Sequence, residues 1–564
     1  MDRAQQEKTS KISMGFQKCK TLGRTIKARR VPHLPTLAIG SSIPDRFVAD
    51  RLVDGYLRTF ETVYRVLHVP TFQADYERYW EGPNAADQAF VVLMQLCMAI
   101  GACFYDDNHS LRAQATAWIY EARFWLLLPP EKARLTITGL QIMCLLQIAR
   151  QTAGVSGGIT WISAGALLRA AVSMGLHHDP KNLVRMPLQH AETRRRLWAT
   201  ILEMDLQSSL DAGSPPLLSL CDFDTRMPAR LNDRDITNDG SQHPSSEHSW
   251  STYTQTSPQI ALFESFATRL AITKLLNDPQ SQAPDYQETL RLSAELTSST
   301  RTLMQRLYAF PRDGRGVDGV SPFQLRFIEM TMNHYALVLH LPWWNEALRS
   351  PTHYFSRKMS VDAARALAEL HRTETDPSPS VTDFGRLLVC GSGPSRSGPV
   401  QACLTLTLEY LHLKEEEKQN RGLMSNVIAE RDRAQLRSVF EWQNQWWIRR
   451  IRAGETNVKS YAFGQVFDSL TESLESGLGP EATMALIVEQ ATVRVDECYE
   501  MLKSAARDVG IDVDAEVDGV AGVVQQMGGT ESFDMELLDY SFLDNMTWGE
   551  DTVTGLNTLD LLFK

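Results

Sequence analysis

No two cysteines in this chain stand in a C-x-x-C spacing, which removes the commonest frameworks for a zinc ribbon or a dithiol redox centre. The eight present, Cys19, Cys97, Cys103, Cys144, Cys221, Cys390, Cys403 and Cys498, are scattered, mostly inside apolar helical patterns, and read as buried free thiols of a reducing compartment. Long hydrophobic runs are missing too. The nearest, Phe90 to Phe104, is about 15 residues long and interrupted by Gln95, short of the roughly 18 to 20 that a membrane span needs. It predicts a buried core helix, and no membrane partner is expected. The N-terminus has no apolar h-region, so no secretory signal is read there. No segment fits G-x-x-x-x-G-K-[ST], which leaves nucleotide binding without support. Strand-like alternation is scarce, and with no repeat of fixed period an irregular helical array is favoured over a regular solenoid.

The charge is present but unevenly placed. Of the net −11, residues 1–46 carry ten Lys or Arg against three acids, while 508–564 carry thirteen acids against Lys564 alone. A nearly neutral body therefore lies between a basic arm and an acidic tail. With 564 residues, 43% of them hydrophobic, that body is long enough for a large core.

Residues 1–45 form a basic arm and linker, low in apolar residues and expected to be disordered; Pro32 and Pro35 mark the linker. From Ile43 the pattern turns helical, with Phe47, Leu52, Tyr56, Phe60 and Tyr64 at steps of four or five. Helices are predicted at 46–65, 72–80, 86–104, 110–127, 138–153, 161–174 and 191–211, with Thr138 and Gln141 spaced as a capping box. A polar loop follows over 236–257, part of a stretch from Asn232 rich in Asn, Asp, Ser, Thr and His. A continuing helical region, 258–507, has helices at 258–276, 286–308, 322–341, 400–415, 425–453 and 480–507. Within it, 374–399 reads as irregular because of its Gly, Ser and Pro content. The fold class is all-α, an irregular multi-helix superstructure with disordered termini.

The most informative segment runs from Trp161 to Asp235. Trp161, Ala164, Leu168, Ala171 and Val172 line one helical face. Gly175 suits a left-handed helix end with Leu176 folded back over the last turn. His177-His178-Asp179-Pro180 follows, then a helix carrying Glu192, Arg194, Arg195, Arg196, Trp198 and Asp205, then Gly213 and Pro215, and finally Asp222, Asp224 and Pro228. This pattern resembles the fungal-specific transcription factor domain, the middle homology region of binuclear zinc-cluster regulators. Tyr56, Phe60, Tyr64, His68, Pro70 and Phe72 match its upstream aromatic helix and turn, so the resemblance covers about 50–236, within a domain core placed at 46–235. His178, Ala199 and Ser214 depart from the family pattern, standing where Arg, Trp and Arg are usual.

The residues themselves read as scaffold. Glu192 and Arg196 are four apart in the favourable acid-then-base order, and guanidinium groups bridge helices by forked hydrogen bonds. Three consecutive arginines turn about 100° each around a helix, so they cannot converge on one phosphate. Adjacent His177 and His178 should point apart, so no metal is expected at the turn. Gly154-Val155-Ser156-Gly157-Gly158 has the letters of a nucleophile elbow but no preceding strand. Asp222-Phe223-Asp224-Thr225 lacks the strand that a paired-aspartate nucleophile needs, and is read as a loop capping helix ends. No catalytic residue and no cofactor or metal site is assigned, and the chain is read as no enzyme.

The resemblance implies a nuclear, DNA-binding regulator that activates a specific gene set, such as a metabolic gene cluster, through RNA polymerase II. Zinc is expected only with an N-terminal cluster of six cysteines, which this sequence lacks, having Cys19 alone there. DNA would then be reached through a zinc-cluster partner or a module absent from this gene model. Lys27, Arg29 and Arg30 are candidates for nuclear import or phosphate contact. In the tail, 508–564, acids alternate with Phe533, Leu537, Leu538, Tyr540, Phe542, Leu543 and Trp548, the composition of an acidic activation segment whose partners are coactivators or the general transcription machinery. A homo- or heterodimer and a small-molecule effector remain open. The alternative is a DNA-binding-deficient partner that sequesters or inhibits a full-length relative, and a lesser one is an enzyme of unknown type.

Overall fold

The computed structural model describes residues 39–455, apart from 83–86, 129–130, 156–159, 237–247, 279–284, 376–380 and 420–426, together with scattered positions from 461 to 504. Residues 1–38 of the basic arm and linker, the Ser156 to Gly158 part of the glycine string, and the acidic tail lie outside the described residues; 39–45, expected to be disordered, instead pack on the body, with Ser42 donating to Glu121 and accepting from the Trp118 indole. Among those described, the regular elements are helices, with a single isolated bridge between Arg312 and Val320. In chain order they are α1 (Arg46–Leu57), α2 (Glu61–Tyr64), α3 (Val69–Glu81), α4 (Gln88–Gly101), α5 (Arg112–Leu127), α6 (Ile137–Thr152), α7 (Thr160–Ser173), α8 (Leu188–Asp211), α9 (Ser257–Glu264), α10 (Phe266–Leu276), α11 (Tyr286–Ala309), α12 (Pro322–His340), α13 (Trp344–Arg349), α14 (Tyr354–Thr375), α15 (Asp383–Cys390), α16 (Pro394–Gln419) and α17 (Val427–Arg452).

The apolar run is α4, buried along its length and packed on α1, α5 and α6. Gln95 within it donates to Glu121 Oε2 at 2.7 Å, while its own side-chain carbonyl oxygen is buried without a hydrogen-bond partner. No helix among the described residues is long and apolar enough to cross a membrane. Where α1 crosses α4 the backbones touch: a Cβ on Gly101 would stand 1.8 Å from the Leu52 carbonyl oxygen. A second group packs α12 on α14 and α14 on α16. One continuous core joins the groups, running from Ala49 to Phe440.

Local chemistry explains several departures from the sequence reading. The first predicted helix breaks at Arg58 and resumes as α2, which ends at Arg65 in a left-handed conformation, φ 53°. Leu52, Tyr56, Phe60 and Tyr64 face inward, whereas Phe47 is exposed. The cap of α6 is Thr136, whose hydroxyl accepts from Gly139 N at 3.0 Å, in place of Thr138; Gln141 instead donates to the Val66 carbonyl. The stretch 258–276 divides at Ser265 into α9 and α10. The region 374–399 is largely helical: Thr382 caps α15, and Pro394 opens α16 in the first turn, where proline's missing N–H is no loss. Helices α13 and α14 occupy 344–375, which the sequence pattern left unassigned. The flanks of the polar loop are only partly surface: Asp233, Thr254, Thr256 and Ser257 are buried, whereas Ser249, Ser251 and Thr252 are exposed.

Candidate functional site

Helix α8 is the axis of the site. From Arg196 to Ser209 every residue is buried, so each charged group on it must find a partner inside the protein. Arg196 meets Asp233 at 2.6 Å, and the same carboxylate oxygen accepts from Arg65 at 2.5 Å. The other Asp233 oxygen takes the Val69 N–H at 3.0 Å. One turn or two further along, Glu203 forms a forked pair with Arg269 at 2.6 and 2.7 Å. Gln259 closes the gap between these rungs, donating to the carbonyls of Tyr64 and Arg196 and to the Thr200 hydroxyl.

The turn ahead of α8 is built in the same way. Helix α7 ends with Gly175 at φ 72°; Gly175 N donates to the Val172 carbonyl and Leu176 N to the Ala171 carbonyl, the paired bonds of a Schellman end. Gly213, φ 58°, ends α8 with the equivalent pair to Leu210 and Ser209. The three arginines then part company. Arg194 donates to the carbonyls of Met174 and Gly175, Arg195 grips Asp179 at 2.8 and 3.1 Å, and Arg196 goes to Asp233. Glu192 pairs with Arg195 at 2.5 Å, three residues away, and accepts from Ala229 N; the expected Glu192–Arg196 pair does not form because Asp233 draws Arg196 across to the neighbouring loop.

Asp179 also accepts from the backbone of Lys181 and Arg226, while Asp224 accepts from Asp179 N at 2.7 Å and from Asn182. The loop 222–226 therefore laces one turn to another and caps no α-helix end. Burial pushes the Asp179 carboxyl up, but the Arg195 fork and the backbone N–H groups pull it further down, to about 2. Asp233 is likewise held well below the usual carboxylate range, since Arg65 and Arg196 outweigh its burial. Trp198 is fully buried, edge-on to Phe223 at 5.6 Å, and Trp161 is half-buried. Pro215 is exposed on the loop after α8. The rings of His177 and His178 do not point apart: their centroids are 3.9 Å from each other, and His178 Nδ1 lies 3.7 Å from Asp224.

Beside this lattice a cleft of about 890 Å³ opens between α3, the start of α6 and the start of α8, walled by Phe72, Tyr79, Phe90, His68, Gln189 and Arg194. His68 connects cleft to lattice: its Nδ1 meets Thr71 at 2.7 Å and Gln189 at 3.1 Å, and its Nε2 lies 3.3 Å from the Asp233 carbonyl oxygen. Sequence motifs did not single out Arg65, Asp233, Glu203, Arg269 or Gln259 as members of the lattice. The signal available was a charged residue at an inward position of an otherwise apolar helix, as at Glu203 and Arg269.

The description of the fungal specific transcription factor domain matches residues 53–309, the stretch that holds α8, its turn, its ion pairs and the cleft. Residues 53–309 belong to that family. The transcription factor domain of this chain also aligns within longer relatives. Transcription factor opdR of Penicillium oxalicum is 33% identical over 88% of this chain and 64% of its own length. Transcription factor lepE of Aspergillus flavus is 35% identical over 71% of this chain and 48% of its own. The aspyridones cluster regulator apdR of Emericella nidulans is 31% identical over 59% and 46%. The chain thus spans less than two thirds of the length of these relatives. The family and these relatives are transcription factors, not enzymes.

One motif carboxyl of the transcription factor domain is raised above its ordinary range by burial. Asp205 is buried; one oxygen accepts from Leu217 N at 3.2 Å and the other has no hydrogen-bond partner. Burial raises its pKa from 3.8 to about 6, against the pull of the Leu217 N–H and Arg169. A carboxyl raised in the folded state contributes stability that is complete below its unfolded value and fades as pH rises through its folded one. Asp205→Asn should therefore show a melting temperature that gains on the parent as pH goes from 4 to 6, with a constant difference above about 7; a difference independent of pH over that window would refute the assignment.

Proposed function

We propose that the whole protein regulates transcription of a specific gene set in the nucleus, with α8 and its ion pairs as the rigid frame of the regulatory body and 508–564 as its activating segment. The observation that carries this reading is the match of 53–309 to the transcription factor domain, in relatives of which one is named a cluster regulator. The frame suits the role, since a body locked by buried ion pairs can hold a ligand cleft and a partner surface in fixed relation. A small apolar effector with a hydrogen-bond acceptor fits the cleft: aromatic walls supply the burial, and Arg194 the polar contact. Sequence-specific DNA contact falls to a zinc-cluster module, carried by a partner or encoded ahead of these residues. Lys27, Arg29 and Arg30 serve nuclear import.

Genome-wide occupancy of the tagged chain tests the reading. Discrete promoter peaks that coincide with genes falling silent on deletion of the protein are the expected result; a cytosolic chain with no peaks points to a sequestering partner instead. For the tail, 508–564 fused to an unrelated DNA-binding module should drive a reporter. Alanine at Phe533, Leu537, Leu538, Tyr540, Phe542, Leu543 and Trp548 should return it to background, because the groove of a coactivator is filled by those side chains and the acids only keep them accessible. A parent fusion that leaves the reporter silent would remove the activating role.

A further inference from the structure

Cys103 and His109, close in sequence, meet the distant Cys390 in the interior. Cys103 belongs to the 3-10 turn Ala102–Phe104 that follows α4, His109 to the loop before α5, and Cys390 is the last residue of α15. All three are buried, and their sulfur and imidazole ligand atoms lie within 4.8 Å of one another. Nδ1 of His109 is buried without a hydrogen-bond partner, a state that buried polar atoms rarely keep. The same residue holds φ at 50°, a left-handed conformation that few non-glycine residues adopt.

We propose that Cys103, His109 and Cys390 form a zinc site that clasps the turn after α4 to the end of α15. Thiolates at about 2.3 Å and an imidazole at about 2.0 to 2.1 Å from a tetrahedral zinc stand roughly 3.5 to 3.8 Å apart. From the 4.8 Å limit, the three ligands therefore need to close by no more than about 1.0 to 1.3 Å. A fourth position remains for water or another small donor. Charge balance favours a divalent ion, since two buried thiolates and one Zn²⁺ sum to zero where an uncompensated buried charge would be expensive. Next to the group, Arg112 donates to the carbonyls of Ala153 and Ala453, so the clasp sits where the ends of α6, α15 and α17 meet. These ligands belong to the helical body and are unrelated to a six-cysteine DNA-binding cluster.

The test uses the full chain, purified under reducing conditions from zinc-supplemented cells. One zinc per chain by elemental analysis is expected, and replacement by cobalt(II) should give thiolate-to-metal charge transfer with d–d bands of tetrahedral intensity. Cys390→Ser and His109→Asn should each weaken cobalt binding at least about tenfold. Asparagine tolerates the left-handed backbone, so the second variant keeps the turn while removing the imidazole. An unchanged far-ultraviolet circular dichroism spectrum confirms folding, and Cys221→Ser, at an exposed thiol, should bind as the parent does. A folded parent that takes up neither zinc nor cobalt at micromolar metal overturns the proposal. So does a cobalt spectrum that survives in both Cys390→Ser and Cys103→Ser, uptake of copper(I) alone, or recovery of a Cys103–Cys390 disulfide in place of metal.

Discussion

Asp233→Ala should lower the stability of the folded chain by about 3 to 5 kcal/mol, the usual consequence of removing one partner from a buried ion pair. The effect belongs at the upper end because Arg196 loses its counter-charge while Arg65 keeps only Glu61, 3.8 Å away. Arg65 and Arg196 have side chains only 3% exposed, and both bond the same Asp233 oxygen. Neither can reach water without opening the junction of α2, α8 and the 228–236 loop, and Arg65 already holds a left-handed backbone, so local relaxation is constrained. The midpoint of urea unfolding of the full chain reads the loss. Asp222→Asn, at an exposed carboxylate, is the control and should change stability by no more than about 0.5 kcal/mol. Arg65→Met, Asp233→Leu and Arg196→Met combined should lose less than Asp233→Ala alone, since no cation is stranded and the remaining Glu61, raised by burial to about 7, can take up a proton. A single variant as stable as the parent would mean that the arginines find other partners and that Asp233 is no keystone. Acid should act in the same direction: Asp179 and Asp233, both held low, contribute stability that is present above the ordinary carboxylate range and is lost as pH falls below about 4 and towards 2.

Gly101→Ala should cost about 3 kcal/mol through a single methyl group. The added carbon would sit 1.8 Å from the Leu52 carbonyl oxygen and 2.6 Å from the carbonyl carbon. Those neighbours are backbone, so no side chain can turn aside; α1 and α4 must move apart along a contact that anchors the continuous core. Since the turn carrying Cys103 begins at the next residue, the same substitution should also weaken metal uptake at the proposed clasp. Gly82→Ala, where a Cβ meets nothing within 4 Å, should leave both stability and metal uptake unchanged. Equal effects of the two alanines would show that propensity, not the crossing of α1 and α4, decides the outcome.

Much of the α8 region is legible in the amino-acid sequence. Gly175 and Leu176 announce a helix end because few residues other than glycine take the left-handed position, and the structure closes both bonds of that end. The 100° turn per residue is enough to say that Arg194, Arg195 and Arg196 serve different partners. The choice of partners is not legible, as the Glu192–Arg196 pair that fails to form shows: i to i+4 proximity is worth a few tenths of a kcal/mol on an exposed helix, and a buried carboxylate arriving from another segment outweighs it. The 374–399 stretch misleads for a related reason. Its Ser, Gly and Pro content signals a loop, yet Thr382 and Pro394 occupy the helix positions where those residue types help, and inward packing of Phe384, Leu387 and Leu388 supplies the rest.

By itself, the sequence determined that the body is helical, where most helices start and stop, which family its first half resembles, and how charge divides between the ends. These follow from periodicity, capping chemistry and composition, all local in the chain. Only the tertiary structure decided that Asp233 neutralises two arginines, that Glu203 and Arg269 share a buried pair, that Gly101 admits Leu52, and that Cys103 and His109 await Cys390. Each of those joins residues from distant segments, and the energy that selects them is desolvation, which exists only once the segments have packed together and excluded water.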